Sequence, residues 1–427
     1  MLSREFIRQH PDEVRAMLAR RRMDAPLDEV LELDRQHRAL LQQVEELKAA
    51  RNAASRRIAQ TKSPEERQRL IAEQQGVRER IAALDAQVKE LEQRLTTLLY
   101  QIPNMLHPSV PDGESEADNV VVRQEGEPRV FDFPPKPHWD LGPELGIIDF
   151  EAGIKIAGSR FYVLKNYGAR LQRALIQFML DLHVHEHGLE EVYPPFVAKE
   201  VCFWATGDLP KFADNLYHDV EDDVWLIPTA EVPLTNLWRD EIIPPGMLPL
   251  RYVAYTACFR REKMSAGRDV RGIKRGHQFD KVEMYTFCEP ERSMEELEAM
   301  LSRAETVCRR LGIPHRVVQL CSADIGFKSA ITYDVEMWAP GVQEWLEVSS
   351  VSNVLDFQAR RANVRFRREP GARPEYPHML NGSGLALPRV MIAVLENYQQ
   401  ADGSVVVPEV LRPYMRIDLI PAPGSSR

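Results

Sequence analysis

Between Leu27 and Ile102 the chain repeats in sevens. Val30, His37, Val44, Arg51 and Ile58 form one series, followed at three residues by Leu33, Leu40, Leu47 and Ala54. Leu70, Val77, Leu84, Leu91 and Leu98 form a second, interleaved by Ile81, Val88, Leu95 and Ile102. Spacings of three and four that sum to seven are the buried seams of paired helices. Most other positions carry Ala, Glu, Gln, Leu or Arg, all strong helix formers, and only Pro64 and Gly76 interrupt them. Ser63 is placed to cap a helix that begins at Pro64. The pattern predicts an antiparallel helical hairpin roughly 50 Å long, at about 1.5 Å of rise per residue. His37 and Arg51 sit on the seam and weaken its packing.

Seven prolines lie between Pro103 and Pro137, and proline-rich chain reads as a linker or an extended edge. Beyond it, strand-like runs (Arg251–Phe259, His277–Phe287, Tyr333–Trp338, Trp345–Val351) alternate with helical ones (Ala169–His187, Ser293–Leu311, Pro388–Gln400). Strands grouped through hairpins with helices outside them predict an α+β domain around an antiparallel or mixed sheet. The expected organisation is an N-terminal domain over 1–105 with its coiled-coil arm at 27–102, a linker over 106–135 and a large domain over 136–427.

The chain has 427 residues, 28% charged and 44% hydrophobic, enough for two or three domains, and excludes wholesale disorder. Its net charge of -9 means that a polyanion must be met by a local basic patch. The distal hairpin is such a patch. From Lys48 to Arg80 it carries nine bases (Lys48, Arg51, Arg56, Arg57, Lys62, Arg67, Arg69, Arg78, Arg80) against four acids. RNA binding and a solvated dimerisation strut both fit that charge. Five scattered cysteines without a CxxC pair argue against a disulfide framework, and no apolar run is long enough for a membrane span, so a cytoplasmic location is expected. His183, His185 and His187 are spread around a helix rather than aimed at one ion.

Chemistry concentrates in two strands. Strand alternation places Arg260 on one face with Glu262, and His277, Phe279, Lys281 and Glu283 on one face of the partner. A purine can stack on Phe279 while an arginine clamps a phosphate or carboxylate. The intervening loop from Lys263 to Arg275 carries Lys263, Arg268, Arg271, Lys274 and Arg275 with Gly267 and Gly272, as a basic cover over phosphates would. A surface hairpin with ordinary charge pairs is the plain alternative. Glu347–Asn353 sets an acid and hydroxyls into an apolar run, suited to Mg2+ on a triphosphate. Asn381–Gly384 lets backbone approach a ligand ahead of a helix that starts near Pro388 and Arg389. Thr229-Ala230-Glu231 offers a hydroxyl and a carboxylate to a cationic amino group. No strand-to-helix glycine fingerprint is present, so a nucleotide must be held by side chains on a sheet.

Over nearly its whole length the chain resembles the bacterial-type seryl-tRNA synthetases, a branch of the class II aminoacyl-tRNA synthetases. The resemblance rests on the hairpin arm, a motif-1-like segment from Leu171 to Pro194 and the Thr229–Glu231 loop. It extends through a motif-2-like Phe259–Glu283, Glu347–Ser350, a motif-3-like Asn381–Arg389 and the run Leu395–Gly403. Pro388 departs from the glycine that many relatives carry. The resemblance implies ATP as substrate, with Arg260 on the α-phosphate and the serine carboxylate, and Glu262 on the adenine amino group. It implies that Phe279 and Arg389 sandwich the adenine, and that Arg261, Arg275, Gly276 and Glu347-Val348-Ser349-Ser350 line the nucleotide, with Mg2+ on Glu347 and Ser350. Thr229, Ala230 and Glu231 would receive the serine amino group, and Glu283 and Ser383 its hydroxyl. It further implies a homodimer. The partner would be a serine tRNA whose long variable arm is gripped by Lys48, Arg51, Arg56, Arg57, Lys62, Arg67 and Arg69, while service to a selenocysteine tRNA stays open. The rival is an amino-acid-activating paralogue that does not act on tRNA.

Overall fold

The computed structural model describes residues 1–263 and 271–424. Gly267 and Arg268, expected in a basic cover, lie outside the described residues. The chain divides into two compact units, Met1–Ala19 with Met23–Pro103, and Arg20–Arg22 with Asn104–Arg427.

In the first unit two short helices, α1 (Arg4–Gln9) and α2 (Pro11–Arg21), precede the hairpin of α3 (Leu27–Gln60) and α4 (Pro64–Leu99). Ser63 Oγ accepts the Glu66 N–H at 3.4 Å, and Pro64 opens the helix, so the turn forms where cap chemistry places it. Ion pairs Glu29–Arg94, His37–Glu92 and Lys48–Asp85 fix an antiparallel register. Val44, Leu84 and Leu95 are almost fully buried on the seam. His37 is buried there too, because its Nε2 meets Glu92 Oε2 at 2.8 Å.

The second unit is built on eight strands. These are β1 (Val120–Glu125), β2 (Glu190–Glu191), β3 (Leu250–Phe259), β4 (Gln278–Cys288), β5 (His315–Gln319), β6 (Ile331–Ala339), β7 (Glu344–Leu355) and β8 (His378–Ala386). They lie in the order β1-β5-β6-β7-β8-β4-β3-β2, antiparallel throughout except for the parallel pair β2–β3. Helices α5 (His138–Glu144), α6 (Asn166–Asp181), α7 (Ser293–Leu311) and α8 (Leu387–Tyr398) contribute to the main core with one face of this sheet, through Leu141, Leu175, Leu301 and Val390 against Val282, Met284, Val351 and Leu385.

Two expectations change. Part of the 106–135 segment is a strand: Val120-Val121-Val122 is β-branched, and β1 pairs with β5 at the sheet edge, so the α+β unit starts before residue 136. Asn381–Gly384, read from sequence only as backbone that approaches a ligand ahead of a helix, is the middle of β8, a central strand between β7 and β4.

Candidate active site

Antiparallel register decides what meets on the sheet. Glu283 of β4 stands directly opposite Ser383 of β8, and residues facing each other across such a ladder share a face with Cβ atoms about 4.5–5.5 Å apart. Phe279, Lys281 and Glu283 alternate along β4. Lys281 Nζ donates to Thr229 Oγ1 at 2.7 Å and pairs with Glu283 Oε2, while the Thr229 hydroxyl reaches the same carboxylate at 3.3 Å. All three side chains are buried. Burial pushes the Glu283 carboxyl above the ordinary value, and the nearby Lys281 charge opposes the shift.

Glu231 is held more tightly than its sequence context suggests. Lys328 donates to Oε2 at 2.6 Å, and Gln358 and Asn381 donate to Oε1 at 2.7 and 3.1 Å. These three residues come from separate segments, and only Asn381, at the head of the motif-3-like segment, was announced by a motif. Burial works against the Lys328 charge, but Asp208 and Glu231 outweigh it, so the lysine holds its proton more firmly than usual. A carboxylate has about four lone-pair sites, so Glu231 keeps capacity for one further donor. Ala230 beside it is wholly buried.

The strand β3 ends at Phe259, and the ladder closes with Arg260 N–H on His277 O at 2.9 Å. Strand alternation therefore does not carry Glu262 onto the face of Arg260: Glu262 lies beyond the strand with φ +50°, and meets Arg275 at 3.9 Å. Arg260 lies over the Phe279 ring at 5.1 Å, with its Nε on Pro228 O. Arg261 turns instead to Leu216 O and the Tyr217 ring. His277 is engaged by the Tyr217 hydroxyl at 2.9 Å. Gly276 fits against Gln278 O, where a Cβ would stand 3.0 Å away.

A bulge opposite Val335 and Glu336 shifts the β6–β7 register, so Glu336 faces Glu347 and Asp334 faces Ser350. Val348 is wholly buried, and the Ser349 hydroxyl donates to Ser383 O at 2.6 Å. Arg389, near the start of α8, donates to Glu347 O at 2.6 Å and pairs with its carboxylate at 3.1 Å. Asp334 Oδ1 is buried with no hydrogen-bond partner, and burial beside Glu347 raises that carboxyl well above the usual range. Glu347, Ser350 and the orphaned Asp334 oxygen form an oxygen-only donor set that suits a hard cation. No group of three or more His, Cys, Asp or Glu side chains arranged for a metal occurs among the described residues. A cation here therefore also needs substrate oxygens and water, as Mg2+ commonly does.

His183 and His187 do approach each other, Nδ1 to Nδ1 at 2.9 Å, in a widened helical turn at Leu182–Glu186. His183 Nε2–H donates to Gly384 O at 2.8 Å, which makes Nδ1 the acceptor. The five cysteines are free thiols. No helix among the described residues is long and apolar enough to cross a membrane.

Residues 1–106 match the seryl-tRNA synthetase N-terminal domain, and residues 212–398 match the class II tRNA synthetase core domain for Gly, His, Pro, Ser and Thr. The serine–tRNA ligase of Roseiflexus sp. (strain RS-1) is 63% identical over 416 residues, covering 97% of this chain and 98% of the relative. That of Thermomicrobium roseum is 60% identical over 97% of this chain and 93% of its own length. Among solved structures, the seryl-tRNA synthetase of Pyrococcus horikoshii complexed with ATP superposes with a TM-score of 0.94 at 38% identity, covering 98% of this chain and 99% of its own. The cytoplasmic enzyme of Naegleria fowleri in complex with AMP gives 0.87 at 30% identity, covering 98% of each. The chain belongs to the seryl-tRNA synthetase family of class II aminoacyl-tRNA synthetases.

Proposed function

We propose that this chain activates L-serine with ATP and transfers the seryl group to the terminal adenosine of a serine tRNA. The observation that carries the reading is the pairing of Glu283 with Ser383 across β4 and β8, with Thr229 on the same carboxylate. A pocket that leaves Glu283 and Ser383 without a partner when alanine enters discriminates more strongly than an apolar one.

Arg260 lies over Phe279, where it can clamp the serine carboxylate and the α-phosphate while the adenine ring uses the aromatic face. The remaining acceptor capacity of Glu231 and the Thr229 hydroxyl receive the amino group. The serine carboxylate oxygen attacks the α-phosphorus in line. An O–P bond forms, the bond to pyrophosphate breaks, and its electrons leave with pyrophosphate. No side-chain nucleophile is needed: the protein positions the reactants and offsets charge with Arg260 and Arg389. Glu347 and Ser350 would hold Mg2+, which would supply charge neutralisation on the triphosphate. The tRNA ribose hydroxyl then attacks the seryl carbonyl and releases AMP.

The hairpin serves tRNA. Arg56, Arg57, Lys62, Arg67 and Arg69 are exposed around its tip, and Lys48 is partly buried beside Asp85. Contacts to phosphate oxygens fix orientation without reading bases. A cytoplasmic homodimer fits the motif-1-like segment: β2 is the terminal strand of the sheet among the described residues, and Tyr193 just beyond it is 79% exposed. Deleting Ala50–Gln74 separates the two half-reactions. Serine-dependent ATP–pyrophosphate exchange is expected to survive while tRNA charging is lost. Survival of charging, or equal loss of both activities in a folded variant, would sink the division of labour.

A further inference from the structure

The run Leu395–Gly403 is part of the family resemblance, yet none of it reaches the pocket around Glu283 and Ser383. It works as a staple. Glu396 is wholly buried on α8; its Oε1 accepts from the His138 backbone N–H and from His138 Nδ1, both at 2.9 Å, and its Oε2 accepts from Gly341 and Val342 N–H. Because Nδ1–H donates to the carboxylate, His138 Nε2 is left as an acceptor. It takes the Ile273 N–H at 3.2 Å. Ile273 lies in the main core, two residues before Arg275 and next to Lys274, whose Nζ pairs with Glu344 of β7. Around the same anchor, Arg271 lies over the Trp139 ring at 5.2 Å and stands 4.0 Å from Asp140. Gly272 has φ +79°, and a Cβ there would fall 2.0 Å from His138 Nε2. Only glycine lets the backbone come this close.

We propose that His138 is a positioning residue for ATP. It ties the C-terminal root of the 263–275 segment, with Arg271, Lys274 and Arg275, to the helix that carries Arg389 seven residues before Glu396. Two nucleotide-binding elements distant in sequence are thus held in one frame through a single neutral imidazole. The inference rests on the reading of the site as serine-activating. It predicts a defect in ATP handling and none in serine recognition, because Thr229, Glu283 and Ser383 are fixed by other contacts.

The test compares His138→Ala, His138→Gln and Gly272→Ala in full-length protein, reading ATP and serine KM by pyrophosphate exchange and amide hydrogen exchange at Ile273. Loss of the tie in His138→Ala is expected to raise the ATP KM roughly tenfold, less than the ~100-fold that a full 1 Å misplacement of a positioning group can cost. The serine KM stays unchanged and the Ile273 amide exchanges faster. Glutamine carries an N–H for Glu396 and a carbonyl for Ile273, so His138→Gln restores ATP affinity. Gly272→Ala leaves the imidazole and carboxylate intact but expels the turn, and reproduces the defect should His138→Ala fold poorly. An unchanged ATP KM in folded His138→Ala and Gly272→Ala, equal rises in both KM values, or no restoration by glutamine overturns the proposal. Wild-type protein without serine-dependent exchange defeats the activation reading instead.

Discussion

Replacing Lys281 with methionine removes the charge that holds the proposed serine pocket while keeping an apolar stem of similar length. In the folded chain Nζ donates to Thr229 at 2.7 Å and pairs with Glu283, and Lys281 is only 7% exposed. Without it, Glu283 is a buried carboxylate whose remaining side-chain donor here is Thr229 at 3.3 Å. Stranding a buried charge costs about 3–5 kcal/mol, and the carboxyl escapes that penalty by taking a proton. Burial already pushes it above 4.5 with Lys281 acting against the shift, so removing Lys281 pushes it further. A neutral acid gives the serine hydroxyl an ordinary rather than a charge-assisted hydrogen bond, a loss of about 1–1.5 kcal/mol. That corresponds to roughly a tenfold rise in serine KM. The ATP KM stays put, since the Lys281 ammonium is bound to the serine-side groups Thr229 and Glu283. The pH signs are opposite for activity and stability. Raising pH ionises Glu283 again, so the variant's serine KM falls toward wild type. The folded variant, however, holds the proton to higher pH than the unfolded chain, so its stability declines as pH climbs above 4.5 through the raised folded value. Pyrophosphate exchange from neutral to alkaline pH, paired with thermal denaturation, reads both. A serine KM unchanged at every pH, or an equal rise in ATP KM, would refute the reasoning.

Phe279→Ala removes the aromatic face under Arg260; base stacking is worth about 1–3 kcal/mol, so the ATP KM should rise by roughly one to two orders of magnitude, as steady-state kinetics would show. Glu305 on α7 is buried: burial alone raises its carboxyl, but the adjacent His315 ring and the bidentate hydrogen bond from Arg123 of β1 bring it down to about 2. Such a depressed acid stabilises above its unfolded value of 4.5 and loses that contribution as pH falls toward 2. Glu305→Gln should therefore lose up to about 3 kcal/mol near neutral pH and lose less on acidification than wild type, measured by urea unfolding. Changing Arg56, Arg57, Arg67 and Arg69 to Gln should flatten the salt dependence of tRNA binding by about one unit of slope for each phosphate no longer neutralised, with serine-dependent exchange unaltered.

The hairpin was legible because each of its signals agreed: a seven-residue repeat, helix-forming composition and the Ser63-Pro64 start all fall where α3 ends and α4 begins. The strands β3 and β4 were legible for the same reason. The strand β8 was not, because Asn381, Gly382, Ser383 and Gly384 have poor strand propensity on their own. Close packing explains them: a Cβ on Gly382 would meet Met300 Sδ and Val351 Cγ2 at 3.0 Å, and one on Gly384 would meet His183 Nε2 at 2.6 Å. Glycine is kept there by neighbours hundreds of residues away in some cases, which local pattern does not reveal. Lys328 and Gln358 around Glu231, and Asp334 beside Ser350, share that character. Each is an unremarkable polar residue in sequence and gains its role from register and burial. The face of Glu262 was misassigned for a different reason, since β3 ends at Phe259 and Glu262 lies beyond it with left-handed backbone, outside the alternation on which its face was assigned.

In the proposed function Glu283, Ser383 and Thr229 make a receptor for a hydroxymethyl side chain beside a nucleotide-binding Arg260 and Phe279. Measuring amino-acid-dependent pyrophosphate release from ATP with every standard amino acid in turn tests it most directly. Serine alone should drive turnover, with alanine and threonine weaker by several orders of magnitude. Comparable turnover with alanine, or a preference for any other amino acid, would contradict the account.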